Sequence, residues 1–207
     1  DSREVAPVAV ARVDGGTVSD PDALLRRDGR ITRQTQAAGS DPAVVLDFGQ
    51  VVSGRIVIET TGAAGAEAGV AVSESLRFLD RDSDTTFGEH HTYTWQPAQG
   101  LGTFETGQVT LRYLLLFLNG DGWLEVDAVW LEFTPQLGTP DSYQGCFESS
   151  DDLLNRIWYA GAYTLELNTI ARGDGSSVIV DAAKRDREVW TAALALQARI
   201  AYATQGG

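Results

Sequence analysis

The sequence predicts a mainly β fold, in which an antiparallel, jelly-roll-like β-sandwich over residues 1–137 precedes a helical segment over residues 138–207. As far as Phe133, short apolar runs alternate with clusters of Gly, Asp, Asn and Pro, which is typical of many short strands. The segment Gln136–Gly145 is rich in Gly, Pro and polar residues and predicts a domain boundary. Beyond it, apolar residues recur every three to four positions, as they do in helices.

Several strands can be placed individually. Residues Ala43–Gly49 and Gly54–Gly62 predict two strands, and residues 66–76 predict a further hairpin. Residues 102–135 predict three strands, broken at Thr106–Gly107 and at Asn119–Gly122, where Asn, Gly and Asp tolerate the positive φ of a tight turn. Because the run Tyr113–Leu118 is apolar on both faces, we expect a central strand that is covered on both sides.

Two helices are predicted after the boundary. Ser149 or Ser150 is expected to cap the first helix, with Asp151 and Asp152 near the positive end of its dipole. A second helix of about four turns is expected after residue 183. The apolar positions of the first helix are Leu153, Leu154, Ile157, Trp158, Gly161 and Leu165, and those of the second are Val189, Trp190, Ala193, Leu194, Ile200 and Ala201.

Composition excludes several functional classes. The formal net charge of −13 repels phosphate backbones and anionic lipids, so neither nucleic acid nor a membrane is an expected partner. The longest apolar stretch is far shorter than the roughly 20 residues of a membrane-spanning helix. Cys146 is the single cysteine, so no internal disulfide forms. His90 and His91 are adjacent and would point to opposite faces of a strand, so we expect no metal site and no cofactor.

The candidate catalytic and substrate-binding residues lie between Asp181 and Trp190, in the stretch VDAAKRDREVW that begins at Val180. Asp181 is expected just before the second helix and Asp186 near its first turn, where both could face a pocket at the helix N-terminus. The dipole and the free backbone N–H groups there lower carboxylate pKa values, so a simple helix cap neutralised by neighbouring basic residues is the alternative interpretation.

Three stretches resemble one enzyme family. Residues 174–194 (DGSSVIVDAAKRDREVWTAAL) resemble the signature of the six-hairpin α-L-rhamnosidases, glycoside hydrolase family 78. Residues 145–170 are similar to the helix that opens the catalytic domain in that family, and residues 44–60 and 104–120 resemble the β-sandwich just upstream. The resemblance implies the N-terminal part of a bacterial α-L-rhamnosidase, ending after the first two helices of an incomplete (α/α)6 barrel.

The resemblance also implies roles for individual residues in the inverting hydrolysis of terminal α-L-rhamnosides. Asp186 matches the general acid, Asp181 an acid that binds sugar hydroxyls, Arg185 a supporting polar contact, and Trp190 an aromatic wall against the sugar. Ala192–Ala193 departs from the Gly-Asp of the family, and the catalytic base of relatives lies on a much later helix. We therefore expect a fragment that is inactive alone. Either a second chain carries the remaining helices and completes the barrel, or those helices have been lost to proteolysis. A glycan substrate favours a secreted protein.

Two alternatives stay open at the level of sequence. The sandwich could be a non-catalytic carbohydrate-binding module that holds sugar on exposed Tyr93, Trp95 or Trp123. It could instead be a scaffold that shields one end of the barrel. Exposed aromatic side chains on one sheet face would favour the module.

Overall fold

The computed structural model describes residues 3–15, 17–37, 39–82, 91–134, 143–172, 174–182 and 187–205. The chain divides into two compact units, residues 1–133 and residues 134–207, which are considered separately below. The predicted mainly β fold is confirmed, with an antiparallel sheet system followed by two α-helices. The predicted boundary between residues 137 and 138 falls among residues 135–142, outside the described residues.

The described residues of the first unit, called the β unit, form nine strands that pair antiparallel and two short 3₁₀ helices, at Pro21–Leu25 and Leu76–Phe78. The strands are β1 Arg3–Val5, β2 Ala9–Asp14, β3 Thr17–Ser19, β4 Thr32–Gln36, β5 Ala43–Ala64, β6 Glu67–Ser73, β7 Thr92–Trp95, β8 Gly102–Asn119 and β9 Gly122–Phe133.

The pairing falls into two blocks that share the two longest strands. One block has the order β2-β5-β8-β6-β7, and the other has the order β3-β4-β9-β5-β8, with β1 also pairing with β9. The register of β5 against β8 shifts between Asp47 and Val52, where the strand passes from the first block to the second. Strands that change sheets at a bulge are one way in which a β-sandwich closes its corners.

Two predicted strand breaks are wrong. Residues 43–64 form one strand, because Asp47 accepts a hydrogen bond from the Gly49 N–H at 2.7 Å and the chain continues through a bulge. Thr106 and Gly107 lie within β8 and form a second bulge opposite Ile56, whose N–H donates a 3.0 Å hydrogen bond to the Thr106 hydroxyl. Both Gly-containing sites therefore accommodate extra residues within a strand. They do not reverse the chain.

The predicted central strand at Tyr113–Leu118 is confirmed. Leu114, Leu116 and Leu118 are fully buried on one face of β8. Leu115 and Phe117 are buried on the other face, in a cluster with four further side chains: Ala43, Val45, Ala71 and Leu79. The reversal at Asn119–Gly122 is also confirmed, since it joins β8 to β9 with Gly120 at φ 81°.

The second unit, called the helical unit, contains α1 at Asp152–Leu167, the hairpin strands β10 at Thr169–Ala171 and β11 at Ser177–Ile179, and α2 at Thr191–Thr204. No described helix combines the length and the apolar character that crossing a membrane requires.

Both helix starts differ from the prediction. Asp151, and neither Ser149 nor Ser150, caps α1, because its carboxylate accepts hydrogen bonds from the Leu153 and Leu154 N–H groups. The second helix begins at Thr191, so Trp190 precedes it and Asp186 lies five residues ahead of its first residue. A φ of 53° at Arg187 is incompatible with a helix that begins earlier.

Candidate functional site

The end of α1 and the hairpin that follows it position Asp181. Asn168 ends α1, and the hairpin returns the chain so that the Val180 N–H donates to the Asn168 carbonyl at 2.9 Å. The Thr169 hydroxyl donates to the Leu165 carbonyl at 2.8 Å, which ties the start of the hairpin to the last turn of the helix. Asp181 therefore follows directly on a segment that is bonded to the helix end.

Side chains from two helical segments hold the backbone of Asp181. The Asn168 amide donates to the Asp181 carbonyl at 3.5 Å, and the Gln197 amide of α2 donates to the carbonyls of Val180 and Asp181 at 2.9 and 3.3 Å. Asp181 is half-buried, and its Oδ1 atom is shielded from solvent. Neither Asn168 nor Gln197 was predictable from the sequence, because a polar side chain near a helix end or on a helix surface is common.

The segment that follows Asp181 in sequence includes Asp186, the residue that the resemblance matches to the general acid. The Asp181 N–H donates to the Glu188 carbonyl at 2.9 Å. Arg187, next to Asp186 in sequence, has a left-handed φ of 53°. This conformation is uncommon for a residue with a long side chain, and such strain concentrates at functional sites. Arg185 and Asp186 themselves lie outside the described residues.

Trp190 directly precedes the first residue of α2. Its carbonyl accepts the first hydrogen bond of the helix, from the Leu194 N–H at 2.9 Å, and its side chain is 56% exposed. An indole with this exposure has a face available for the apolar C–H groups of a sugar ring. Asp181 and Trp190 thus flank the segment that contains Asp186, one on each side in sequence.

A buried carboxylate lies elsewhere in the helical unit. Glu166 is 1% exposed, and its Oε2 atom accepts a 2.8 Å hydrogen bond from the Tyr143 hydroxyl. Burial of Tyr143, together with this hydrogen bond, raises the pKa of its phenol far above the usual range. This pair is a structural contact near the end of α1, because the phenol stays protonated and its O–H acts as the hydrogen-bond donor to the carboxylate.

A groove of about 310 Å³ separates α1 from α2. It is largely apolar, with the Arg199 side chain at its edge, and neither Asp181 nor Trp190 lines it. The lining residues are Ile157, Trp158, Gly161, Arg199, Ile200, Ala203 and Thr204.

The aromatic residues of the alternative interpretation do not form one surface. Tyr93 and Trp95 lie two residues apart on β7, and Trp95 stacks on Phe104 with ring centroids 4.1 Å apart. Trp123 lies on β9 in the other block, where the Arg33 guanidinium covers its ring at 4.3 Å. Each indole thus has a face occupied by a neighbour from its own unit.

The described residues contain no cluster of three or more His, Cys, Asp or Glu side chains suited to a metal ion. His91 is buried at 3% exposure, and His90 lies outside the described residues.

Comparisons with known proteins show the fold. No protein-family description matches the sequence, and no curated protein matches it. Among solved structures, the chain is similar to a family GH78 rhamnosidase of Bacillus sp. GL1, with a TM-score of 0.72 and 21% identity over 89% of this chain and 18% of that one. It is also similar to a rhamnosidase from Klebsiella oxytoca with rhamnose bound, with a TM-score of 0.72 and 17% identity over 99% of this chain and 41% of that one. The chain thus spans less than half the length of either rhamnosidase.

Proposed function

We propose that this chain is the N-terminal part of an inverting α-L-rhamnosidase and carries the general acid of that enzyme. The observation that carries the proposal is the hydrogen-bonded backbone of Asp181 beside the left-handed Arg187, in a chain whose fold is similar to that of two rhamnosidases. Both residues also belong to the stretch whose sequence resembles the family signature.

In the proposed reaction, Asp186 donates its proton to the glycosidic oxygen as the bond from that oxygen to the anomeric carbon breaks. Water attacks the anomeric carbon from the opposite face and passes a proton to a second carboxylate. The products are the free alcohol and L-rhamnose with inverted anomeric configuration. The two carboxylates of such an enzyme stand roughly 6.5–9.5 Å apart, which leaves space for the water.

We propose binding roles for three residues near Asp186. Asp181 would accept hydrogen bonds from sugar hydroxyls, and its backbone is already fixed by Asn168 and Gln197. Trp190 would stack on the apolar face of the sugar. Arg185 would support the site as a polar contact. Preorganisation of this kind reduces the entropy that binding costs.

The second carboxylate is proposed to come from sequence beyond these 207 residues or from a second chain. The rhamnosidases that the chain resembles in fold are much longer than the matched region. Both helices also leave large apolar side chains exposed, including Leu154, Ile157, Leu194 and Leu196. In the complete enzyme we expect further helices to cover these side chains, as in other helical bundles.

The test measures hydrolysis of an aryl α-L-rhamnoside through the phenol that this reaction releases. The 207-residue chain alone should release no product, whereas the longest natural protein that contains it should release product. In that protein, Asp186→Asn should lower kcat at least about 100-fold, because loss of a general acid costs that much.

The matched control is Asp152→Asn, at an exposed aspartate of α1 that pairs with Arg156. This variant should keep wild-type kcat. Release of phenol by the 207-residue chain that depends on Asp186 would refute the claim that the chain is incomplete. Unchanged kcat in Asp186→Asn would refute the assignment of the acid.

A further inference from the structure

A second concave site lies in the β unit, apart from the residues considered so far. It is a pocket of about 230 Å³ between the chain at Glu4–Ala6, the segment 24–27 after the first 3₁₀ helix, and β9 at Val129 and Trp130. This volume is below the roughly 300 Å³ at which pockets for drug-sized ligands begin, so it suits a ligand about the size of one sugar ring.

The pocket contains donors that lack acceptors. Arg26 is exposed and forms no ion pair within 4 Å in the described part of the chain. Trp130 is 7% exposed, and its indole N–H is buried without a hydrogen-bond acceptor among the described residues. The Arg26 guanidinium donates and does not accept, so it favours a ligand that supplies oxygen acceptors, while Trp130 offers apolar ring surface to the pocket.

Arg27, the neighbouring arginine, already pairs with acidic side chains and packs on Trp130 at one side of the pocket. Arg27 donates to Glu4 at 3.1 Å and to Glu59 at 3.3 Å, and its guanidinium stacks over the Trp130 ring at 4.1 Å. The charge of Arg27 is therefore balanced by two carboxylates, whereas Arg26 forms no ion pair within 4 Å in the described part of the chain.

The pocket also offers an acceptor and an apolar floor. The Glu4 carboxylate is 61% exposed and retains lone pairs for ligand hydroxyls beyond its bond to Arg27. Leu24 and Val129 are buried beneath the pocket and contribute apolar surface with Trp130. A phosphate dianion carries twice the charge that the Arg26 guanidinium balances, whereas a single carboxylate attached to a hydroxylated ring matches both ends of the pocket.

We infer that this pocket binds one hexuronic acid, either as the free monosaccharide or at the end of an otherwise neutral glycan. Its carboxylate pairs with the Arg26 guanidinium, its hydroxyls donate to Glu4, and its C–H groups lie against Leu24 and Trp130. Charge-assisted bonds of guanidinium to carboxylate are the strongest contacts in this arrangement. The pocket lies in the β unit, so the inference is independent of the proposed rhamnosidase activity.

Nuclear magnetic resonance of the 207-residue chain tests it through the indole N–H signals. The chain has five tryptophans, and Trp130→Phe assigns the Trp130 signal by its disappearance. Titration with sodium D-galacturonate or D-glucuronate should shift that signal, with a dissociation constant of about 1 mM for a ligand of this size. L-Rhamnose, which has no carboxylate, should leave the signal in place.

Matched variants separate the pocket from general charge effects. Arg26→Gln should weaken binding of the uronate about tenfold, because one charge-assisted bond is lost. Arg12→Gln, at an exposed arginine on β2 that pairs with Asp14, should leave the affinity unchanged. The inference is overturned if the Trp130 signal does not move at 50 mM uronate, if sodium acetate moves it equally, or if Arg26→Gln binds as the wild type does.

Discussion

The two units differ in where their large apolar side chains lie. In the β unit, Leu46, Leu114 and Leu116 are fully buried within the sheets. In the helical unit, α2 buries Thr204 alone among its described residues, and large apolar side chains of both helices are exposed. Burial of apolar surface is the main favourable term in folding, so the core of the β unit stabilises it from within. The helical unit depends more on caps, helix propensity and the hydrogen bonds around Asp181.

Leucine truncations give the largest contrast between the units. Leu116→Ala should lower the free energy of unfolding of the β unit by about 3 kcal/mol, because a fully buried side chain leaves a cavity. Leu196→Ala in α2, at 66% exposure, should change stability by less than about 0.5 kcal/mol. Hydrogen exchange read by mass spectrometry reports each unit separately. A large loss in Leu196→Ala would show that α2 is packed in solution.

Glycine substitutions should act with opposite sign in the two units. A Cβ atom at Gly69 would lie 2.3 Å from the Phe117 ring, so Gly69→Ala should destabilise the β unit by about 2 kcal/mol. A Cβ atom at Gly161 in α1 meets nothing within 4 Å, so Gly161→Ala should stabilise the helix by about 1 kcal/mol through propensity. Thermal denaturation followed by circular dichroism measures both. Equal signs would contradict the difference in packing.

The N-terminal cap of α1 should make the next largest contribution to stability. Asp151→Ala removes the acceptor for the Leu153 and Leu154 N–H groups and should cost the helix about 1 kcal/mol. Asp151→Ser keeps a capping oxygen and should restore most of that stability. Helical ellipticity at 222 nm provides the measurement, and identical values for the Ala and Ser variants would exclude a capping role.

The smallest expected effect is a pH dependence within the β unit. Two hydrogen bonds from Arg112, at 3.0 and 3.1 Å, and one from the Gly49 N–H hold the pKa of Asp47 below its usual value. A lowered folded-state pKa gives stability that is complete above the unfolded pKa of about 4 and is lost as the pH falls through the folded value.

Asp47→Asn should therefore flatten the acid side of the stability curve, measured as the urea midpoint between pH 6 and pH 2. Asp14→Asn, at an exposed ion pair with Arg12, should leave the curve unchanged. A wild-type slope in Asp47→Asn would assign the acid sensitivity to other carboxylates.

Patterns that depend on nearby residues were predictable from the sequence. The apolar run Tyr113–Leu118 indicated a strand covered on both sides, and the cluster Asn119–Gly122 indicated a turn, because both signals are local. The bulges near Asp47 and Thr106 were not predictable, because each depends on the partner strand. A glycine that suggests a turn in the sequence can lie at a bulge inside a continuous strand, and only the strand pairing shows which of the two occurs.

The candidate site likewise contains residues that were predictable from the sequence and residues that were not. The resemblance marked Asp181 and Trp190, and the structure shows the first anchored at its backbone and the second exposed. The contributions of Asn168 and Gln197 were not predictable, since they arise from a return of the chain through the hairpin β10–β11. The late start of α2 was missed because the apolar period begins at Val189, ahead of the helix itself.

Product stereochemistry tests the proposed function most directly. Proton NMR of the reaction of the longest natural protein with an aryl α-L-rhamnoside, recorded before mutarotation, distinguishes the two anomers of released L-rhamnose. β-L-Rhamnose should form first, and Asp186→Asn should remove its signal. First formation of α-L-rhamnose, or an undiminished signal in Asp186→Asn, would contradict the proposed function.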